Sequence, residues 1–101
     1  MDKATAINIV KNYSDAVRNM FAVKEIFLFG SFAKDTQKEF SDLDVAIVFD
    51  GFEGDYLDTS FKLNKLSRDF SLRIEPILID SKNDPSGFLE EIKATGILIK
   101  N

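Results

Sequence analysis

Leu43-Asp44-Val45-Ala46-Ile47-Val48-Phe49 is the stretch whose reading decides the fold. It is rich in β-branched and apolar residues, ends at Asp50-Gly51, and gives the strongest strand signal in the chain. One residue does not belong in such a run. Asp44 places a carboxylate inside it, which is costly to bury without a partner. Asp42 stands two residues earlier, so in extended backbone both carboxylates project from the same face.

Working outward, Lys24-Glu25-Ile26-Phe27-Leu28-Phe29 forms another aromatic and β-branched run, stopped by Gly30, and reads as a strand covered on both faces. Ahead of it, Ile7, Val10, Tyr13, Val17, Met20 and Phe21 recur in steps of three and four. Residues of about 3 to 20 are therefore an amphipathic helix, with Asp2 as its N-cap. Gly30 to Asp35 reads as a short turn or helix start, followed by a polar stretch to Ser41.

Beyond the central strand, the segment through Asp55 is a loop. Tyr56, Leu63, Leu66 and Phe70, with Leu57 and Phe61 beside them, give a second amphipathic helix. Leu72 to Ile79 is the third strand, and Pro76, which has no N–H for a ladder, favours an edge position. Asp84-Pro85-Ser86-Gly87 opens a last helix through about Thr95, with Pro85 in its first turn and Gly96 as its stop. Ile97-Leu98-Ile99 can add a short strand. This order gives an α/β or α+β class, with a small mixed sheet of three to four strands flanked by helices. It forms a single domain over 1–101, without repeats or linkers.

Composition narrows the chemistry. The 101 residues include no Cys and no His. Disulfides, thiolate metal sites, a Cys nucleophile and an imidazole base are thereby excluded. What remains is carboxylates, hydroxyls, Lys, Arg and backbone groups. The formal net charge of −4 argues against a broad grip on nucleic acid, which needs a basic face. No apolar run approaches the roughly 20 residues of a membrane helix, and the start of the chain lacks the pattern of a secretory signal. The expectation is a cytoplasmic protein without membrane contact.

Gly30-Ser31 follows the first strand and Asp42-Leu43-Asp44 enters the second. Two carboxylates held that close repel unless a cation lies between them, and hard oxygen ligands suit Mg²⁺ or Mn²⁺. A glycine at a strand end lets backbone N–H groups approach an anion, and a helix start at Ser31 would aim its positive end at a phosphate. Phosphate at one strand end and metal at the next is the layout that phosphoryl transfer uses.

The residues Phe29-Gly30-Ser31-Phe32-Ala33-Lys34, followed at this spacing by Ser41-Asp42-Leu43-Asp44-Val45, resemble the signature of the DNA polymerase β-type nucleotidyltransferase superfamily. Within it, the chain is most similar to the minimal nucleotidyltransferase (MNT) group. The first helix and the closing Phe88-Leu89-Glu90-Glu91-Ile92 through Gly96 resemble that group as well. The resemblance implies a nucleotidyltransferase fold, catalytic and metal-binding roles for Asp42, Asp44 and a third acid, and nucleotide contacts from Gly30, Ser31 and Lys34. The third acid is Glu75, where Asp is more usual. Two further positions depart from the pattern: Phe32 stands where Arg is often found, and Asp35 where Gly is.

The resemblance further implies a Mg²⁺- or Mn²⁺-dependent transfer of a nucleoside monophosphate, AMP from ATP, to an acceptor. Free-standing MNT chains resemble the antitoxin half of HEPN/MNT toxin–antitoxin pairs. A HEPN-type protein is thus the expected partner and acceptor, and an acceptor site at an interface between copies of the chain is the other arrangement. The competing reading is a non-catalytic module that neutralises a partner by masking its surface. Plainer roles exist for several residues: Gly30-Ser31 as a strand stop and cap, Lys34 as a solvated charge, and Glu75 paired with Arg73. Asp50 is a turn former, and Phe27, Phe29 and Phe49 belong to the core.

Overall fold

A computed structural model describes residues 1–100. In chain order the elements are α1 (Lys3–Met20), β1 (Glu25–Phe29), β2 (Leu43–Phe49), α2 (Tyr56–Ser67), β3 (Ile74–Asp80), α3 (Phe88–Thr95) and β4 (Ile97–Leu98). The strands form one mixed sheet in the order β3-β2-β1-β4. β1 runs antiparallel to both β2 and β4, whereas β2 and β3 are parallel and joined across α2. Three helices on a four-stranded mixed sheet make the fold α+β. Pro76 lies in β3, an edge strand, as its missing donor requires.

Alternation along the strands divides the core in two. Ile26 and Leu28 of β1, Leu43, Val45 and Ile47 of β2, and Ile74 and Leu78 of β3 face α1 and α2, meeting Val10, Tyr13, Val17 and Leu63. Phe27, Ala46, Val48 and Ile79 face the opposite way and are covered by Leu89 and Ile92 of α3. Phe27 and Phe29 are consequently on the α3 face while Phe49 is on the α1/α2 face, so the three phenyl rings serve two cores. The buried Tyr13 hydroxyl donates to the Leu63 carbonyl at 2.8 Å, fastening α1 to α2. Burial also pushes the Tyr13 phenol well above its usual range. The start of α1 is capped as its sequence suggests, with the Asp2 carboxylate accepting the Thr5 N–H at 2.8 Å.

Gly30 to Asp35 takes the turn of its two sequence readings and no helix, and three boundaries differ from the sequence reading, each for a local reason. Lys34 N–H reaches the Gly30 carbonyl at 3.1 Å, but Asp35 adopts φ +57° and ends the winding. α2 stops at Ser67, and Phe70 beyond it still packs edge-on against Tyr13. β3 begins at Ile74, after a turn that leaves Leu72 in solvent. α3 begins at Phe88, because Asp84 to Gly87 closes a turn of its own and Gly87 takes φ +72°. Pro85 therefore precedes the helix. Leu57 and Phe61, beside the apolar stripe of α2 in sequence, both point outward from it.

Candidate active site

Register places the acidic residues. Asp44 pairs with Phe29 of β1 on one side and with Glu75 of β3 on the other, so the end of β1 and the starts of β2 and β3 share one level. Asp44 and Glu75 lie on the α3 face, with Ala46, Val48 and Ile79 following on the same face. Asp42 shares their parity just ahead of β2. On that face Asp44 is half-buried, and Asp42 and Glu75 are exposed. Two distant stretches of the sequence, Asp42–Asp44 and Glu75, thus place three carboxylates at one edge of the α3 layer.

Gly30 completes this edge. Its φ of +73° is a left-handed conformation that a side chain disfavours. Its main chain also rests on Asp44: a Cβ built there would run into Oδ2 of that carboxylate and come within 3.2 Å of Cγ. Only glycine lets the turn pass this close to the acid. Ser31 follows, half-buried, and its carbonyl accepts the Thr36 N–H at 2.9 Å.

The acids have no protein partner. Among the described residues, no cation or N–H donor of the fold engages Asp42, Asp44 or Glu75 in a hydrogen bond or ion pair. Burial, and then the charge of Asp42, push the Asp44 carboxyl above its ordinary range. Glu75 is raised chiefly by the charge of Asp42, then by partial desolvation and by Asp44. Arg73 does not neutralise Glu75. Its guanidinium lies over the Phe40 ring, 5.8 Å from the centroid.

As they stand, no three acidic side chains among the described residues close on one point as a finished metal cage. The donor set still fits Mg²⁺ or Mn²⁺. Such ions are commonly held by one or two carboxylates, with phosphate oxygens and water completing the shell. Asp42 and Asp44 supply hard oxygens at the lip of a glycine turn, and nothing in the protein offsets their charge.

Lys34 is exposed, and with Gly30, Phe88, Glu91 and Thr95 it lines a cleft of about 190 Å³ between the turn and α3. Glu91 and Thr95 were not legible as site residues, since on sequence they read as ordinary helix surface. Phe32 is wholly buried in the α1/α2 core, which leaves Lys34 as the cation of this turn. Asp35 is drawn away from the cleft by Lys3, at 3.1 Å. A larger concavity, about 650 Å³, lies at the opposite end of the sheet and includes Lys24, Asp50, Lys82 and Asp84. It contains none of the residues of this site, and its Asp50 and Asp84 are satisfied within the protein.

The family described as "Polymerase beta, Nucleotidyltransferase" matches residues 8–101. The chain belongs to the polymerase beta nucleotidyltransferase family. Among proteins of curated function, none matches it in sequence. A putative nucleotidyltransferase from Sulfolobus solfataricus has a similar structure, with a TM-score of 0.70 at 22% identity, covering 95% of this chain and 80% of that one. A toxin–antitoxin structure with AMP-PNP is similar at TM-score 0.64 and 19% identity, covering 100% of this chain and 74% of that one. A mutant MntA-HpeT toxin–antitoxin structure gives 0.60 at 17% identity, again over 100% of this chain and 74% of its counterpart. At these identities the likeness is one of fold. In this nucleotidyltransferase the fold sets the Gly30 turn against the Asp44 carboxylate.

Proposed function

We propose that the protein is a Mg²⁺-dependent nucleotidyltransferase that moves AMP from ATP to a hydroxyl of a protein acceptor, acting as the antitoxin partner of a HEPN-type toxin. The observation that carries this reading is the meeting of Asp42, Asp44 and Glu75 beside Gly30 without any neutralising group of the protein. Such an edge is poised for a cation bearing a polyphosphate. The fold likeness to chains of toxin–antitoxin structures, one of them with AMP-PNP, supports the choice of nucleotide and partner.

Asp42 and Asp44 would hold the metal, which when bound neutralises phosphate charge and polarises the α-phosphoryl group. The Gly30-Ser31 turn and Lys34 hold the β- and γ-phosphates beside it. Glu75 stands across the sheet from that turn, on the side opposite the leaving group. Its exposed carboxylate would accept the proton of an acceptor hydroxyl. The acceptor oxygen forms a bond to the α-phosphorus and the bond from that phosphorus to the bridging oxygen of the β-phosphate breaks. Pyrophosphate leaves, and the proton is on Glu75.

The test is transfer of label from ATP, radioactive at the α-phosphate, to a HEPN-type protein in the presence of Mg²⁺. Label should appear on the partner, and Asp42→Asn with Asp44→Asn should remove it without unfolding the protein. Binding of the partner by both forms with labelling by neither would establish the masking module instead.

A further inference from the structure

β3 is an edge strand, and only one set of its peptide groups is paired. The Leu43 N–H donates to the Arg73 carbonyl and the Ser81 N–H to the Phe49 carbonyl, both at 2.8 Å, so the odd-numbered residues between them turn their peptide groups toward β2. Ile74, Pro76, Leu78 and Asp80 turn theirs outward. Pro76 has no N–H to offer, and the Asp80 carbonyl accepts the Asn83 N–H at 3.1 Å. Leu78 is left with an N–H and a carbonyl side by side, and among the described residues neither has a hydrogen-bond partner. These two groups open into a cavity of about 410 Å³. Phe52 and Tyr56 wall it from the α1/α2 side and Phe88 from the α3 side. No Lys or Arg lines it, and its two acids, Asp80 and Asp84, already accept N–H groups of the chain. The cavity therefore suits a flat, uncharged group with one acceptor and one donor on its edge.

The cavity also adjoins the carboxylate edge. Ile77 and Ile79 line it, and they follow Glu75 on the same face of β3. Phe88 is at the same time a wall of the cleft that holds Gly30 and Lys34. Three residues of strand, about 10 Å, separate Glu75 from Leu78, a distance that one nucleotide covers from its α-phosphate to the far edge of its base. We propose that this cavity binds the adenine base of the nucleotide, with the Leu78 peptide groups reading its edge and the Tyr56 and Phe88 rings covering its faces. The inference rests on the transferase reading above: the phosphate tail lies on the Gly30 side of Phe88, the α-phosphate at Asp42 and Asp44, and the base beyond them along β3. Adenine carries a ring-nitrogen acceptor next to its exocyclic amine, so the Leu78 N–H and carbonyl both find partners. A purine with a carbonyl in place of that amine sets two acceptors against each other. A partner strand is the other ligand an open sheet edge takes. It fits poorly, because strand addition needs a donor and an acceptor at successive outward residues, and between Pro76 and Asp80 only Leu78 offers both.

The experiment measures, by titration calorimetry with Mg²⁺ present, the affinities of ATP, inosine triphosphate and inorganic tripolyphosphate for the whole chain. ATP is expected to bind at least about tenfold more tightly than inosine triphosphate. Tyr56→Ala, which removes a stacking ring, should weaken ATP by about tenfold. Ser86→Trp, which fills the cavity from an exposed position, should erase the difference between ATP and inosine triphosphate. Tripolyphosphate should bind both variants as it binds the wild type, which also shows that they are folded. Equal binding of the two nucleotides by the wild type, or indifference of ATP to both substitutions, overturns the proposal. So does a parallel loss of tripolyphosphate affinity in the two variants, which would make the cavity part of the phosphate site. Loss of HEPN-type partner binding in Ser86→Trp with ATP affinity unchanged would give the edge to a protein strand, and also overturns it. Tripolyphosphate binding without preference for ATP sinks this proposal alone, whereas a wild-type protein that binds neither tripolyphosphate nor ATP sinks the transferase reading and this proposal with it.

Discussion

Acidic side chains stand at both ends of the sheet, and the protein treats Asp50, Asp80 and Asp84 at one end and Asp42, Asp44 and Glu75 at the other in opposite ways. Where β2 and β3 finish, Asp80 accepts the N–H groups of Gly51 and Lys82, both at 3.0 Å. Asp84 accepts the Leu89 N–H at 2.8 Å, and Asp50 accepts the Ser81 hydroxyl at 3.2 Å with Lys82 nearby. Asp80 is held below its ordinary range, first by the Lys82 N–H. Where β2 and β3 begin, Asp42, Asp44 and Glu75 have no such partners, and Asp44 and Glu75 are pushed up. Acids at the first end serve the fold. Those at the second are a standing electrostatic cost that a bound cation would remove.

The largest effect expected from breaking this contrast is on catalysis. Asp42→Asn with Asp44→Asn should reduce label transfer by about 10³-fold or more, since several kcal/mol of charge stabilisation by a metal would be lost. The same change should raise the thermal midpoint measured in chelator, because it removes repulsion and the desolvation of a charge. A lower midpoint in chelator would mean that these acids stabilise the fold, and the contrast between the two ends would be gone.

Gly30→Ala comes next. A side chain at φ +73° costs about 1–2 kcal/mol, and its methyl group also meets the Asp44 carboxylate, so a total loss of about 2–4 kcal/mol is expected by urea denaturation. Asp44→Ala in the same chain should recover about 1 kcal/mol of it, as non-additivity between touching residues. Strict additivity would show that the turn and the acid are not in contact.

These two predictions lean on features of unequal legibility. The strand over Leu43–Phe49, the helix over Lys3–Met20 and the Asp2 cap were readable because periodicity and capping are local. Asp42 and Asp44 could be placed on one face from their spacing alone. That Glu75 stands level with Asp44 could not, because register between strands thirty residues apart depends on how the crossover through α2 returns. Leu57 and Phe61 read as lying beside the apolar stripe of α2, and only the packing shows that both point outward while that helix buries Thr59, Leu63 and Ser67. The positions of Glu91 and Thr95 depend on how α3 lies across the sheet, which no local pattern encodes.

A smaller effect sharpens the contrast through binding. Millimolar Mg²⁺ should raise the melting temperature of the wild-type protein by mass action, and more so with ATP present. Asp42→Asn with Asp44→Asn should abolish the rise, while Asp80→Asn should leave it intact. A rise that survives the site substitutions but disappears in Asp80→Asn would move the cation to the other end of the sheet.

The smallest effect concerns acid. Asp80 has a depressed pKa in the folded protein, so its contribution to stability is present above the ordinary aspartate range and is lost as pH falls through the depressed value. For Asp44 the sign is reversed: its cost is full at neutral pH and is relieved as pH falls through its raised value. Urea midpoints measured from neutral to acid pH should therefore place Asp80→Asn below the wild type at pH 7, with the two curves converging in acid. Asn keeps an oxygen acceptor for the Gly51 and Lys82 N–H groups, so the gap isolates the charge from the geometry. Asp44→Asn should lie above the wild type at pH 7 and converge with it from the other side. Two variants approaching one curve from opposite directions is a pattern that a general effect of net charge cannot produce, because both substitutions remove one negative charge from the same acidic chain.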